Sequence, residues 1–331
     1  MKVSVSIITY NHEKFIEQAI DGVLNQNATF AYEIVIGDDC STDETRSLIK
    51  AYKERYPERL RLLLHKHNFG DLGTSNLVSN VKASTGEYIA LLDGDDYWIS
   101  SDKLQRQVDY LDSHPECAIC FHRVQYVAED GTARVSRSLS RKQTYSLGDL
   151  LRENFIPSGS AMFRRGLFPE FPDWYYTGTP GDWGLHILNA EHGNIGYIDA
   201  VMAVHRHHSS GVSQTNDGLS HMSRVVKACG RLDAHLDFKY HSTLSTTTAR
   251  VQMQMASVYG EKGDYSQARE YWRASLPRSL MFFAREAIAV ALLIHSPRVY
   301  RALRSVKHKL MSWVGRAGLT CFMLVSVQRS I

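Results

Sequence analysis

A short apolar segment, Tyr88–Leu92, runs directly into three aspartates, Asp93, Asp95 and Asp96. The apolar run predicts a buried strand. Carboxylates this close together repel one another, so folding alone gains little from placing them beside the core. A divalent cation would relieve the repulsion, and oxygen ligands favour hard ions such as Mg²⁺ or Mn²⁺. The aspartates are therefore a candidate metal site, the alternative being an acidic, solvated turn that caps the next helix.

Polar residues also follow two other apolar segments. The first segment of the chain ends in Thr9 and Tyr10. A later segment ends in Asp38 and Asp39. In an open parallel sheet, ligands bind beyond the carboxyl ends of the strands, which is where such residues fall. Simple packing is the alternative for Tyr10, and turn formation is the alternative for the two aspartates.

Strands and helices alternate through the first half of the chain. We predict strands at about 3–8, 32–36, 60–64, 88–92 and near 117–128. Apolar residues at helical spacing predict helices between them. Asn11 is the predicted N-cap of the first helix, and Ser41–Glu44 is a capping box that opens the second. The alternation predicts an α/β fold with a largely parallel sheet covered by helices on both faces.

The second half of the chain has a different character. Residues 137–181 are rich in Gly, Pro and aromatic residues, which favours loops over a site. From residue 216 the pattern is helical, and residues 256–274 look like one helical hairpin of the tetratricopeptide type. One such repeat cannot bury its own face, so we expect it to pack on the main domain. We predict an α/β domain at 1–215 and a helical C-terminal region at 216–331.

The charge of the chain is divided unevenly. Its 331 residues are 44% hydrophobic and 22% charged, as is ordinary for a globular protein. The net charge of +3 combines a C-terminal part, residues 278–331, with nine Lys or Arg and one acid (+8), and a remainder with 29 basic and 34 acidic residues (−5). The basic tail favours peripheral contact with an anionic membrane, whereas nucleic-acid binding gains no support. The alternative for the tail is a core-packing helix with a solvated basic face.

The sequence also bears on location. The N-terminal segment lacks the long apolar run of a signal peptide, and no segment offers the roughly 18 uninterrupted apolar residues of a transmembrane helix. Five scattered cysteines do not form a disulfide framework. We therefore expect a cytoplasmic chain with reduced thiols, peripheral on the inner face of the cell membrane through its tail.

Three motifs occur in order along the first domain: Ser6–Asn11, Val35–Asp43 and Leu91–Asp96. As an ordered set they resemble the family 2 glycosyltransferases of GT-A fold, and the similarity runs from residue 3 to about residue 213. The resemblance implies a Rossmann-like GT-A domain that transfers a sugar from a nucleotide-sugar donor. The Gln-x-x-Arg-Trp signature of the processive members is missing, which disfavours a polymer synthase.

The resemblance assigns five residues to the nucleotide: Thr9, Tyr10, Asp39, Asn76 and Asp93. Asp39 looks like the group that faces the uracil, where a carboxylate accepting a ring N–H makes a directional, charge-assisted bond. Thr9 and Tyr10 lie where the family places the base, and Tyr10 could stack on it. Asn76 lies where the family has a Gly-rich segment near the nucleotide.

The resemblance also assigns the metal ligands. Asp93-Gly94-Asp95 matches the Asp-x-Asp signature, so Asp95 would bind Mn²⁺ or Mg²⁺ and Asp93 would lie near the ribose and the metal shell. Residues 205–213 align with a Tyr-Arg-x-His-x-x-Gly-x-Ser pattern, which makes His208 the histidine that completes the shell. A structural role is the alternative for this histidine.

Inverting transfer needs a base that takes the proton of the acceptor hydroxyl. The family commonly has an acidic residue before a helix for this step, and Asp182 is the matching candidate. Its alternative role is to cap that helix. Residues 154–163 resemble the acceptor-side loop of the family, where small residues let the backbone approach the sugar.

The expected activity is inverting, metal-dependent transfer of one sugar, from a UDP-sugar in preference, to a hydroxyl of a glycan or lipid-linked glycan. The expected setting is polysaccharide or lipopolysaccharide assembly. Two alternatives stay open: a catalytically degenerate GT-A domain that serves as a binding or scaffold protein, and a sugar nucleotidyltransferase. A dehydrogenase would have Gly-x-Gly-x-x-Gly after the first strand, and this motif is absent.

Overall fold

The computed structural model describes residues 1–139, 142–209, 211 and 218–296. Its internal contacts divide the chain into two units, Met1–Arg224 and Val225–Ile331. The boundary predicted at residue 215 lies a short way before this division. The basic tail beyond residue 296 lies outside the described residues, so its membrane contact stays a prediction.

The first unit is built on one sheet, which has ten strands within the described residues. The strands are β1 Val3–Thr9, β2 Tyr32–Asp38, β3 Leu60–Leu64, β4 Tyr88–Asp93, β5 Tyr97–Trp98, β6 Cys117–Ala128, β7 Ala133–Val135, β8 Thr144–Tyr145, β9 Met162–Arg164 and β10 Asn194–His207. The predicted positions of the first four and of β6 are confirmed.

The sheet has the order β3-β2-β1-β4-β9-β6-β10-β5, with β7 beside β6 and β8 beside β10. The six longest strands (β1, β2, β3, β4, β6 and β10) all run in one direction, while the short strands β5, β7, β8 and β9 run antiparallel to their neighbours. The carboxyl ends of the long strands therefore share one edge of the sheet, which confirms the predicted mostly parallel α/β architecture.

The helices of this unit lie between the strands in sequence. They are α1 Ile16–Leu24, α2 Thr45–Arg55, α3 Thr74–Ala83, α4 Lys103–Ser113, α5 Leu147–Arg152, α6 Asp173–Tyr176 and α7 Gly181–Ala190. Successive residues of a strand point to opposite faces. On β1, Val5 packs in the apolar core that includes α1 and α4, whereas Ser6 faces Asn80 of α3. Helices thus cover both faces of the sheet, as predicted.

Two predicted helix starts are wrong. Asn11 does not cap α1; its backbone has φ 54° and its Oδ1 accepts a hydrogen bond from the backbone N–H of Thr42 at 2.8 Å. The predicted capping box does not form either, because the Oγ of Ser41 accepts from the backbone N–H of Asn11 at 2.9 Å. These side chains join the loop after β1 to the loop after β2, so they shape the edge of the sheet instead of starting helices.

A buried amide ties α3 to the sheet. The Nδ2 of Asn80 donates to the backbone oxygens of Ile7 at 2.8 Å and Val35 at 3.2 Å, and it lies 3.1 Å from the Oγ of Ser6. Gly37 makes this approach possible, because a Cβ there would overlap the side-chain oxygen of Asn80. The helix is thereby fixed against β1 and β2, whose ends carry the predicted site residues.

We expect Asn80→Ala to lower the free energy of unfolding by about 2–3 kcal/mol, since it removes a buried amide and its hydrogen bonds to two backbone oxygens. Chemical denaturation measures the change. Ser79→Ala is the matched control, because Ser79 is only half-buried and bonds within its own helix, to the oxygen of Ser75 at 2.8 Å. Equal stability of the two variants would contradict a structural role for the Asn80 amide.

The second unit is helical. Its helices are α8 Gly218–His235, whose first residues belong to the first unit, α9 His241–Lys262, α10 Tyr265–Phe282 and α11 Ala284–His295. Residues 256–274, predicted as a helical hairpin, lie in α9 and α10: Gly263, with φ 85°, ends α9, and Tyr259 and Tyr271 stack with ring centroids 5.6 Å apart. Helix α11 packs on the hairpin and supplies Ala287 to its apolar core. No described helix combines the length and apolarity needed to cross a bilayer.

Candidate active site

Polar residues from four strand ends surround one edge of the sheet. Thr9 ends β1, Asp39 follows β2, Asp93 ends β4 and His207 ends β10. In the sheet register, Thr9 lies beside Asp38, and Ile8 lies beside Asp93. Thr9, Asp39 and Asp93 are strand-end residues that the sequence singled out, and His207 directly precedes a fourth residue that it singled out, His208.

The ends of β1 and β2 form the side predicted to meet a nucleobase. Asp39 is buried, and its Oδ1 accepts a hydrogen bond from the backbone N–H of Phe69 at 3.0 Å. Burial, joined by the charges of nearby aspartates, raises the pKa of Asp39. Thr9 is 2% exposed and its Oγ1 has no partner among the described residues, whereas Tyr10 is 42% exposed. A buried orphan hydroxyl beside an exposed ring is suited to bind a polar, flat ligand.

The two aspartates after β2 differ in role. Asp38 is fully buried and accepts hydrogen bonds from Arg46 and from the backbone N–H of Ser41. Arg46 also donates to the backbone oxygen of His65, so this ion pair joins the loops after β2 and β3. Asp38 is thus a structural anchor, which leaves Asp39 as the carboxylate for ligand contact.

Asn76 corrects one expectation. It is 1% exposed, its Nδ2 donates to the backbone oxygen of Gly37 at 2.8 Å, and its Oδ1 lies 3.1 Å from the Nε2 of His65. The amide therefore stabilises the end of β2 through a hydrogen bond to its backbone. The geometry does not support the predicted direct contact with a nucleotide, because both polar ends of the side chain are engaged within the protein.

Asp95 and His208, the predicted metal ligands, lie together. The Oδ2 of Asp95 is 3.0 Å from the Nε2 of His208 and 3.7 Å from the Nε2 of His12. Although burial opposes ionisation, these two imidazoles lower the pKa of Asp95. Phe15 packs on the His208 ring, with centroids 4.5 Å apart. The structure thus holds one ionised carboxylate against two histidines.

Asp96 organises the neighbouring strand end. It is buried; its Oδ2 lies 2.8 Å from the Nδ1 of His205, and its Oδ1 accepts from the backbone N–H of Arg206 at 2.8 Å. Burial opposes protonation of His205, but the hydrogen bond and charge of Asp96 raise the pKa of His205 to about 9. Arg206 in turn donates to the backbone oxygen of Asp95. Asp96 therefore fixes the segment that carries His208 against the loop that carries Asp95.

Asp93 lies between this cluster and the acceptor-side loop. Burial, followed by the charges of Asp96 and Asp95, raises the pKa of Asp93. Ser158 makes a side-chain hydrogen bond to Asp93, which opposes this rise. A carboxyl group held partly protonated by its neighbours can donate as well as accept a hydrogen bond, which fits a position beside ribose hydroxyls.

Asp182 lies at the second position of α7, where a carboxylate is stabilised by the helix dipole. Its Oδ2 accepts from the Nδ2 of Asn154 at 3.3 Å. The loop that begins at Asn154 continues to Ser158, which bonds Asp93, and to Gly159, where a Cβ would lie 3.8 Å from the Oδ2 of Asp96. One short loop therefore connects the predicted base to the aspartate cluster.

The side chains of this edge can be compared with the ligands that a divalent metal ion requires. Among the described residues, no three or more His, Cys, Asp and Glu side chains are grouped as a metal-holding set. Asp95 and His208 together offer one carboxylate oxygen and one imidazole nitrogen. Mg²⁺ and Mn²⁺ sites at nucleotides take few protein ligands and complete their shells with phosphate oxygens and water. The pair fits such a shared site and does not fit a metal cage made by the protein alone.

Sequence reasoning missed one residue of this edge, His12, and the bonding partners of Asp96. His12 was given no role, although it approaches Asp95 and its Nδ1 is buried without a partner among the described residues. Its position three residues after β1 was the available signal. The cross-strand bonds of Asp96 to His205 and Arg206 had no signal in the sequence, because they join segments more than 100 residues apart.

Known proteins resemble this chain in sequence and in structure. The chain is 41% identical over 212 residues to the uncharacterized protein Rv1520 of Mycobacterium tuberculosis, which covers 63% of this chain and 60% of that protein. The crystal structure of Staphylococcus aureus TarS residues 1–349 in complex with UDP-GlcNAc matches with a TM-score of 0.64 and 18% identity over 88% of this chain and 87% of that chain. The mannosyltransferase PcManGT from Pyrobaculum calidifontis in complex with GDP-Man and Mn²⁺ matches with a TM-score of 0.53 and 18% identity, over 92% of this chain and 83% of that chain.

The family model for Glycosyl transferase family 2 matches residues 4–171, about half of the chain. The matched region contains the strand-end motifs after β1, β2 and β4, including Thr9, Asp39 and Asp95. The structural matches show the same fold. The chain therefore belongs to glycosyl transferase family 2, and its first unit has the GT-A fold.

Proposed function

We propose that this chain transfers one sugar from a nucleotide-sugar, a UDP-sugar in preference, to a hydroxyl of a glycan or lipid-linked glycan, with inversion. The observation that carries the proposal is the meeting of Asp39, Asp95 and their neighbours at one sheet edge, joined to Asp182 by the loop that begins at Asn154. A relative of the same fold binds UDP-GlcNAc, which supports a UDP-sugar donor. The setting that we propose is polysaccharide or lipopolysaccharide assembly.

The donor nucleotide would lie across the ends of β1 and β2. The free oxygen of Asp39 accepts the ring N–H of the base, and the Tyr10 ring stacks on the base. Thr9 supplies its unpartnered Oγ1 as a further hydrogen-bonding group. Gly94 keeps this corner open, because a Cβ there would lie 2.8 Å from the Oγ1 of Thr9 and 2.9 Å from the Nδ1 of His12.

Asp95 and His208 would hold a Mn²⁺ or Mg²⁺ ion, as the Mn²⁺ in the complex of PcManGT suggests for a protein of this fold. When bound, such an ion neutralises the charge of the diphosphate. The imidazoles of His12 and His208 lower the pKa of Asp95, which favours the ionised carboxylate that a cation needs. The chain also fixes the backbone around Asp95 through Arg206.

Asp182 would take the proton of the acceptor hydroxyl. Asp182 lies in the first turn of α7, and the hydrogen bond from Asn154 holds one carboxylate oxygen. The other oxygen is left to face the acceptor. Attack by that hydroxyl on the face opposite the leaving UDP would invert the anomeric centre.

A panel of nucleotide sugars tests this proposal. The purified chain is incubated with UDP-, GDP- and dTDP-sugars, Mn²⁺ and a mixture of glycan acceptors, and release of the nucleoside diphosphate is measured. We expect release from a UDP-sugar that depends on the acceptor. A degenerate, scaffold domain would bind nucleotide without release. A nucleotidyltransferase would release no nucleoside diphosphate, and would form the nucleoside triphosphate and sugar 1-phosphate only when pyrophosphate is added. Either outcome would contradict the proposal.

Peripheral membrane contact through the basic tail is a separate part of the proposal. We expect substitution of its seven basic residues by Gln to release the chain from anionic vesicles, since each basic group near an anionic surface contributes about 1 kcal/mol. The residues are Arg298, Arg301, Arg304, Lys307, Lys309, Arg316 and Arg329. Vesicle co-sedimentation at low and high salt measures the effect, with neutral vesicles as the control. Undiminished binding of the substituted chain to anionic vesicles would contradict this role.

A further inference from the structure

A lysine side chain is buried in the first unit. Lys103, the first residue of α4, is 0% exposed. Its Nζ donates to the Oε1 of Gln107 at 2.6 Å and lies 3.8 Å from the centroid of the Trp98 ring. Gln107 and Trp98 are buried as well. We refer to Lys103, Gln107 and Trp98 as the lysine cluster.

The partners of Lys103 are neutral. Gln107 offers an amide oxygen and Trp98 offers a ring face, and no carboxylate in the part of the chain that the structure describes forms a salt bridge with Lys103. Burial lowers the pKa of Lys103 to about 7. Removing an amino group from water costs free energy, and a buried ionisable group without an ion pair is often replaced by an apolar residue at no loss of stability. Stability of the fold therefore does not explain a lysine at this position.

Lys103 fixes the orientation of the Gln107 amide. Because the Nζ of Lys103 donates, the amide turns its oxygen toward Lys103 and its NH₂ group away from it. That NH₂ group donates to the backbone oxygen of Ser160 at 2.9 Å. Without Lys103 the amide would be free to turn its oxygen toward the oxygen of Ser160, and the hydrogen bond would be lost. Lys103 thus keeps a donor directed at Ser160.

Trp98 provides a second link from Lys103 to the same segment. Its Nε1 donates to the backbone oxygen of Gly159 at 3.0 Å, while its ring face packs against the Nζ of Lys103. An amino group over an indole ring is attracted by the ring face when it is charged. Gly159 and Ser160 are consecutive residues of one short turn, Ser158–Ser160. The lysine cluster therefore holds two successive carbonyl groups of this turn.

The turn reaches the candidate active site through its first residue. Ser158 makes a side-chain hydrogen bond to Asp93. Directly after the turn, the backbone oxygen of Ala161 accepts from the backbone N–H of Leu91 at 3.0 Å, so the turn is joined to the strand that ends in Asp93. A shift of the turn would move the hydroxyl of Ser158 relative to Asp93, the carboxylate that is expected beside the ribose.

We propose that Lys103 is a positioning residue of the nucleotide site, acting through the turn that it holds. The lysine cluster fixes the turn, and Ser158 then orients the carboxylate of Asp93 toward the ribose of the donor. Lys103 itself contacts no ligand, because it is fully buried. The assignment rests on the proposed function and adds to it a residue that determines nucleotide affinity from outside the site.

Calorimetry with UDP and Mn²⁺ on the full chain tests this role. We expect Lys103→Met to weaken UDP binding about 5-fold or more, since the turn loses the hydrogen bond that Lys103 maintains. Gln107→Glu should have the same effect, because its carboxylate still pairs with Lys103 but cannot donate to Ser160. Lys50→Met, which removes an exposed lysine of α2, should bind UDP like wild type. Wild-type affinity in either variant of the lysine cluster would overturn the proposal.

A double-mutant cycle distinguishes positioning from a general loosening of the fold. Ser158→Ala removes the hydroxyl that bonds Asp93 and should weaken UDP binding by a similar factor. If Lys103 acts through Ser158, the double variant Lys103→Met/Ser158→Ala should bind UDP no more than about 2-fold more weakly than Ser158→Ala alone. Two independent effects would instead multiply to about 25-fold, and that result would overturn the proposed route.

Thermal unfolding supplies a readout in the opposite direction. Because Lys103 is buried beside neutral partners, Lys103→Met should have a Tm equal to or above that of the wild type. A lysine that serves only the fold would lose Tm and UDP affinity together when it is replaced. A lowered Tm in Lys103→Met would therefore overturn the positioning role.

UDP binding by the wild-type chain separates the two levels of the argument. If the wild-type chain binds UDP with Mn²⁺ and the variants of the lysine cluster bind it equally well, the positioning role fails and the proposed transfer remains. If the wild-type chain binds no UDP, the proposed function fails, and Lys103 has no nucleotide site to position.

Discussion

We expect Asp95→Asn to reduce sugar transfer by about 10³-fold or more while the fold is retained. Asp95 is the ionised carboxylate that faces His208 and His12, and the amide of Asn carries no charge to balance a cation. Loss of metal-assisted charge stabilisation at a leaving diphosphate removes several kcal/mol of transition-state stabilisation. Steady-state release of UDP measures the effect, and Mn²⁺ titration by calorimetry should show weakened metal binding.

Asp109→Asn serves as the control for this experiment. Asp109 is an exposed residue of α4 that bonds Gln105 of the same helix, so its substitution removes an equal charge away from the edge of the sheet. Circular dichroism should show all three proteins folded. Full turnover by Asp95→Asn, or by wild-type chain treated with EDTA, would rule out the metal site.

Asp182→Asn should lower transfer by about 10²-fold or more, the usual consequence of losing a general base. The expected change is in kcat, with UDP binding close to wild type, because the hydrogen bond of Asp182 is made with Asn154 of the acceptor-side loop and not with Thr9, Tyr10 or Asp39. Transfer rates and UDP affinity are measured side by side. An amide can still accept the hydrogen bond from Asn154, so the substitution leaves the local packing intact.

Asp173→Asn is the matched control for the base, since Asp173 is exposed and begins α6 much as Asp182 lies near the start of α7. It should transfer at the wild-type rate. A collapse of UDP binding in Asp182→Asn would place Asp182 in the nucleotide site or in the structural framework, and the acid–base role would then be wrong.

The strand ends were predictable because they follow local rules. Each of β1, β2 and β4 is an apolar run that ends in polar residues, and parallel strands bring such ends to one edge. Thr9, Asp39 and Asp95 could therefore be picked from sequence before their neighbours were known. Likewise, the apolar spacing of α4 and the hairpin of α9 and α10 depends on residues close in the chain.

The interactions that failed prediction are those between distant segments. Asn11 and Ser41 have the residue types of helix caps, yet they bond to one another's loops, because two neighbouring strand ends bring those loops together. Asn76 has the polarity of a ligand contact, but the absence of a side chain at Gly37 lets it bond the backbone of β2 instead. A local sequence pattern shows which hydrogen bonds a residue can make, but it does not show which distant residue will be its partner.

The most direct test of the central claim is a calorimetric titration of wild-type chain with UDP, GDP and dTDP, with and without Mn²⁺. The choice of diphosphates makes the result independent of the donor sugar. We predict one site per chain that binds UDP most tightly, requires Mn²⁺ for full affinity, and loses about 10-fold or more in Asp39→Ala and in Asp95→Asn. Failure of every nucleoside diphosphate to bind in the presence of metal would contradict the account of this edge as a nucleotide-sugar site. Wild-type affinity for UDP in both variants would contradict it as well.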